Sequence, residues 1–162
     1  MADGRILILG VGNLLMGDEG VGVHVVRLLE REGGVPGVTL VDGGTGGFHL
    51  LSYLSDYDPV VMIDATLDGR PPGTISVIEP RYASDFPRSL SAHDIGLRDL
   101  VESAALLGTL PEIHLVTVSV DTLQPMQTSL SPVVEGALPQ VASLVRSTVE
   151  RLLARSRGES LT

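Results

Sequence analysis

The residues best suited to chemistry are carboxylates that follow short aliphatic runs. Glu19 comes after RILILG at 5–10 and a glycine-rich loop, and Asp42 closes GVTLVD at 37–42. Asp64 closes PVVMID at 59–64, and Asp121 follows EIHLVTVSV at 112–120. If these runs are strands of one parallel sheet, their carboxyl ends share an edge, where open α/β sheets bind ligands. His93 lies in a loop that leads into a helix. Two carboxylates and an imidazole make an O,O,N set for a divalent ion, with coordination positions left open. Spacing this wide is not specific. The plainer alternative is that Glu19 complements a helix dipole, Asp64 caps a turn and His93 is exposed. There is no HExxH pair, because His24, His49, His93 and His114 are never three to five residues apart.

The loop itself, Gly10-Val-Gly-Asn-Leu-Leu-Met-Gly-Asp-Glu-Gly-Val-Gly, invites nucleotide readings that fail on residue chemistry. A dinucleotide fingerprint needs G-x-G-x-x-G, and its third glycine is Leu15 here. Asp42 imitates the ribose-binding acid, but the loop is too long for a tight pyrophosphate turn. A phosphate-binding loop would need Lys and Ser/Thr where Asp18 and Glu19 stand, and two carboxylates repel a phosphate. Acid at this place suits a cation or a hydrogen-bond donor.

Composition removes further chemistries. The 162 residues include no Cys, and all eleven basic residues are Arg. Disulfides, thiolate metal sites, cysteine nucleophiles, Schiff-base lysines and Ser-Lys dyads are therefore excluded. A net charge of −9 has the wrong sign for nucleic acid. No apolar run approaches a membrane span, and Asp3 stands where a signal peptide wants positive charge, so a cytoplasmic location is expected. With 43% hydrophobic residues but only 3% aromatic, the core must be built from Val, Leu and Ile.

The elements that must position the acids alternate in type. Strands are expected at 5–10, 37–42, 59–64 and 112–120, and a further strand at 73–79 as a hairpin partner of the third. Helices are expected at 19–32, 46–55 and 92–107, the last capped by Ser91. A final helix starts at Ser131-Pro132, a cap residue followed by proline at the first helical position, and Pro139 should kink or restart it. The fold class is α/β: three layers, with an about five-stranded, mostly parallel twisted sheet, helices on both faces and one antiparallel strand. A single domain at 5–154 is expected, with a flexible N-terminus at 1–4 and a flexible tail at 155–162.

Taken in order, these residues resemble a known family. The loop from Gly10 to Val23 is similar to the opening motif of the [NiFe]-hydrogenase maturation endopeptidases. Asp42-Gly-Gly-Thr45, Ile63-Asp64-Ala65 and Ser91-Ala-His93-Asp-Ile-Gly-Leu97 follow in sequence, and Thr128-Ser-Leu-Ser-Pro132 is a weaker match. The resemblance runs from about residue 5 to about 153. It implies an aspartyl-type or metal-dependent endopeptidase that removes a C-terminal extension from a hydrogenase large-subunit precursor after nickel insertion. It places the catalytic and nickel-contacting roles on Glu19, Asp64 and His93, and substrate recognition on Asp42, Gly43, Gly44 and Thr45. Nickel would come with the substrate, and another divalent metal could use the same site. Relatives often carry Pro-Glu or a similar pair where this chain has Val120-Asp121-Thr122, so Asp121 has a variant role or none.

A set without thiolate makes an exchangeable site, suited to reading nickel already held by the cysteines of a partner. The metal could polarise the scissile carbonyl or lower the pKa of an attacking water. Rival chemistries are poorly served: there is no G-x-S-x-G, and Ser91, His93 and Asp94 lie too close together to form a triad. An aspartic dyad drawn from Glu19, Asp42 and Asp64 has no motif behind it. A chaperone that docks on the nickel centre without cutting would need the same residues, as would another metal-dependent amidohydrolase. His24 and His49 read as surface or helix-packing residues, and His114 as satisfying a local hydrogen bond. Arg146, Arg151, Arg155 and Arg157 read as a solvated helix face.

Overall fold

Three of the aliphatic runs are buried along their whole length, as strands covered on both faces must be. The computed structural model describes residues 5–45, 47–87, 97–121 and 126–158. In it β1 (Ile6–Gly10), β3 (Val60–Thr66) and β5 (Ile113–Ser119) are buried throughout, while β2 (Val38–Asp42) and β4 (Ile75–Ile78) are only partly covered. The sheet order β2-β1-β3-β5-β4 explains the contrast, because the partly covered strands are the two edges. All neighbours are parallel except β4 and β5, which run antiparallel.

Helices α1 (Val21–Arg31) and α4 (Pro132–Ser156) cover one face, and α2 (Leu51–Asp56) and α3 (Leu97–Leu106) the other. Strand alternation sorts the core accordingly. Ile8, Ile63 and Val116 pack with Val25 of α1 and Val145 of α4, whereas Leu9, Met62 and Leu115 pack with Leu54, Phe86 and Leu100. Each fully buried aliphatic side chain contributes roughly 1.5–3 kcal/mol, and Ile63→Ala would cost roughly 2–5 kcal/mol through the cavity it leaves. The three-layer α/β architecture read from the sequence is the one observed.

Two local expectations are corrected. Strand β4 is not a hairpin partner of β3, since both edges of β3 are taken by β1 and β5. The chain instead turns past Gly73 and pairs with β5, where the Gly73 N–H donates to the Ser119 carbonyl and the Ser119 N–H to the Thr74 carbonyl, each at 2.8 Å. Helix α4 does not restart at Pro139 but runs unbroken from Pro132 to Ser156. Pro139 is exposed, so the Glu135 carbonyl that lacks its usual donor faces the solvent side of the helix. The helix thus extends into the expected tail at 155–162. Residues 1–4 and the Ser91 cap lie outside the described residues.

Candidate active site

At the carboxyl end of β1 the chain must turn away while staying packed on its neighbours. The Val11 N–H donates to the Ile63 carbonyl at 2.9 Å, the Gly12 N–H to Gly44 at 2.7 Å and the Gly43 N–H to Gly10 at 2.8 Å. These bonds stitch the loop to the ends of β3 and β2. A short 3-10 turn, Gly17–Gly20, then carries Asp18 and Glu19 into α1. Glycine is required where backbones meet. Gly12 has φ +145°, and a Cβ there would stand 2.1 Å from the Glu19 carbonyl. A Cβ at Gly22 would stand 2.3 Å from the Ile63 carbonyl. The glycines serve close approach of the Glu19 turn to β3, not a phosphate.

The result is that the turn bearing Glu19 packs against the strand bearing Asp64. Both side chains are fully buried, at 0% exposure. Asp64 shares its face of β3 with Met62, and its Oδ1 accepts the Ala65 N–H at 2.8 Å. Charge withdrawn from water this completely is costly unless compensated, so two such acids at the ligand-binding edge of a sheet point to chemistry. His93, the third expected member, lies outside the described residues, as do Ser91 and Asp94. Among the described residues no group of three His, Asp or Glu is placed to hold a metal ion.

Asp18 has a role that sequence reasoning missed. Its Oδ1 accepts the Ser131 N–H at 2.7 Å and its Oδ2 the Ser131 hydroxyl at 2.8 Å. Ser131 occupies the N-cap position of α4 but makes no side-chain capping bond; its hydroxyl is turned to Asp18 instead. The Gly17 N–H also donates to Gln127 at 2.8 Å, and the Gln127 N–H to Leu15 at 3.0 Å. The Glu19 turn is thereby clamped to the start of α4. No local pattern could reveal a contact across 113 residues.

Asp42, Gly43, Gly44 and Thr45 form a rim beside this centre. Asp42 is exposed, its Oδ1 accepting the Gly44 N–H at 3.0 Å and its Oδ2 lying 3.5 Å from Arg27. Gly43 is buried, and Gly44 takes a left-handed φ of +56°. Asp121 is exposed beyond the end of β5.

Comparison with known proteins decides the family. The family model for hydrogenase maturation proteases matches residues 23–148. The chain belongs to the hydrogenase maturation protease family. It is 33% identical over 151 residues to the hydrogenase 2 maturation protease of Escherichia coli, a match covering 89% of this chain and 92% of that one. It is 38% identical over 126 residues to the hydrogenase expression/formation protein HupD of Bradyrhizobium diazoefficiens, covering 75% of this chain and 64% of that relative's length. Among solved structures, the hydrogenase maturating endopeptidase HybD from E. coli superposes with a TM-score of 0.80 at 31% identity, covering 90% of this chain and 92% of that one. HybD from Thermococcus kodakarensis gives 0.72 at 26% identity, covering 89% and 98%.

Elsewhere in the protease, several of the other histidines and arginines have structural partners. Burial, and then the Arg27 guanidinium, hold the His24 imidazole below the ordinary histidine value, against a hydrogen bond with the Thr128 backbone. His49 is exposed. His114 lies between Glu112, 2.6 Å from Nε2, and Glu79, 3.2 Å from Nδ1. Arg146 pairs with Glu32, and Arg155 pairs with Glu112. Two of the helix-face arginines therefore staple α4 to its surroundings. No helix among the described residues is long and apolar enough to cross a membrane.

Proposed function

We propose that this protease removes the C-terminal extension of a [NiFe]-hydrogenase large-subunit precursor after nickel insertion, in the cytoplasm. In this reading Glu19, Asp64 and His93 read the nickel that the substrate carries. The observation behind it is the pair of fully buried carboxylates at one end of the sheet, Glu19 from the 3-10 turn and Asp64 from the end of β3. Their chemistry fits the task. Carboxylate and imidazole donors bind nickel without the grip of thiolates, and this chain has no Cys with which to retain the ion.

Nickel in contact with the site would supply Lewis acidity to the scissile carbonyl. The chain's own residues do the rest. Glu19 and Asp64 would offer carboxylate oxygens from side chains fixed by close packing, which limits the reorganisation needed in the reaction. His93 must be neutral to offer a ring nitrogen, so engagement weakens as pH falls through its pKa. In this reading a carboxylate of the pair accepts a proton from the attacking water and returns it to the leaving amine. The rim from Asp42 to Thr45 selects the substrate: Asp42 and Thr45 are exposed at its two ends, and the Asp42 carboxylate holds the turn between them.

Intact-mass measurement of a nickel-loaded large-subunit precursor, before and after incubation with this protein, tests the proposal. The loss of one C-terminal peptide is expected. Stable binding with no change of mass would identify a docking chaperone instead.

A further inference from the structure

Beside Asp64 the sheet carries a second polar feature that the proposed trio does not use. Register places Asp64 of β3 opposite Thr117 of β5, and Thr117 opposite Ser76 of β4. The next row of β3 and β5 pairs Thr66 with Ser119. Asp64 and Ser76 are two strand spacings apart, roughly 10 Å. Thr66, Thr117 and Ser76 line a cleft of about 470 Å³, closed on other sides by Asp68, Arg70, Ile78 and Pro87. That volume lies in the range of small-ligand sites, about 300–1,000 Å³. Pro87 also stands six residues ahead of His93 in the chain.

Arg70 is held in place at this cleft. Its guanidinium donates to the Ser76 hydroxyl and lies 3.5 Å from Asp68, while the Asp68 Oδ1 accepts both the Ser119 hydroxyl, at 2.9 Å, and the backbone N–H of Arg70, at 3.1 Å. The side chain nevertheless remains 56% exposed, with guanidinium N–H groups beyond those used. A turn held closed by Asp68 alone would not need a guanidinium spread across to β4. The surroundings sharpen the point. The molecule carries −9, and this end of the sheet holds Glu19, Asp42, Asp64 and Asp68. An acidic residue of a bound polypeptide is repelled by that rim unless it meets a cation, and among the described residues the cation lining this cleft is Arg70.

We infer that this cleft is a subsite for the substrate segment adjoining the scissile bond, and that Arg70 determines specificity there by taking an Asp or Glu side chain of that segment. The inference rests on the protease reading above. Arg70 touches the substrate away from the reacting atoms, so it governs binding and not the chemical step. Charge-assisted, bidentate pairing of guanidinium with carboxylate gives the selectivity.

The test uses the whole protein and a nickel-loaded large-subunit precursor, with wild type and Asp64→Asn as references for cutting and loss of cutting. Arg70→Gln should raise KM about tenfold or more with kcat little changed, and Arg70→Lys should recover part of the loss. In the precursor, one Asp or Glu near the cut, changed to its amide, should weaken wild-type processing but not that of Arg70→Gln. Changing that same residue to Arg should restore processing by Arg70→Glu. Unchanged KM in Arg70→Gln, or a precursor whose flanking acids can all be neutralised without effect, would overturn the inference while the protease reading stands. If the wild type cuts no nickel-loaded precursor, the reading falls and the inference falls with it.

Discussion

The two ends of the sheet carry similar letters in opposite physical states. At the amino end of β5, Glu79, His114 and Glu112 bring together two carboxylates and an imidazole, the same residue types as the proposed trio. There the carboxylates are 69% and 41% exposed, the imidazole sits between them, and Arg155 lies 3.0 Å from Glu112. The two carboxylates stay in reach of water and of the Arg155 guanidinium, beside a cavity of about 410 Å³. At the carboxyl end, Glu19 and Asp64 are fully buried, and the loops around them use glycine to bring backbone close. Residue type nominates both groups. Burial and position on the sheet separate a surface ion cluster from a site.

The largest test of that contrast removes the acids in parallel. Glu19→Gln, Asp64→Asn and His93→Ala should each lower processing at least a hundredfold, because an already open site loses one of three donors. Glu79→Gln and Glu112→Gln should leave the processing rate within about twofold, as surface changes away from the site do. Equal damage from both sets, measured as precursor converted per unit time, would erase the distinction.

A smaller effect is expected from the clamp behind the Glu19 turn. Asp18→Ala removes two hydrogen bonds to Ser131 and leaves the first turn of α4 short of an acceptor. The loss should be about 1–3 kcal/mol, read as a fall in Tm of several degrees, with processing slowed along with it. Ser131→Ala keeps its N–H bond to Asp18 and should lose less. A stable Asp18→Ala variant with normal processing would show that the turn needs no such anchor.

The smallest effect belongs to the other end of the sheet. Burial alone would raise the Glu112 carboxyl, but hydrogen bonds from Arg155 and His114 outweigh it and hold the group below its ordinary value. A depressed carboxyl stabilises the fold above its unfolded-state pKa, and that contribution is lost as pH falls through the folded-state value. Thermal melts of wild type and Glu112→Gln should therefore differ slightly at pH 7 and converge as the pH falls through and below the ordinary carboxylate range. A gap that widens in acid would reverse the assignment.

What could be read from sequence follows from which forces are local. Strands β1, β3 and β5 declare themselves because burial on both faces needs unbroken aliphatic runs, and the strand-end rule then reaches Glu19 and Asp64. The partner of β4 was not legible, since it depends on which strand edge remains free once β1, β3 and β5 have assembled. Ser131 looked like an ordinary helix cap because its true acceptor, Asp18, is distant in sequence. Arg70 gave no signal for the same reason: its contacts with Ser76 and Asp68 mean something only once Asp64, Thr117 and Ser76 share a row.

In the proposed reading nickel resides on the substrate and not on the enzyme. The direct measurement strips the purified protein with chelator, removes the chelator, and adds the protein separately to nickel-loaded and nickel-free large-subunit precursor. With the buried carboxylate pair and no thiolate, the protein should need no metal of its own. Intact-mass analysis should find the nickel-loaded precursor shortened and the nickel-free precursor unchanged. Efficient cutting of the nickel-free precursor, or a requirement to preload the enzyme with metal, would contradict the claim.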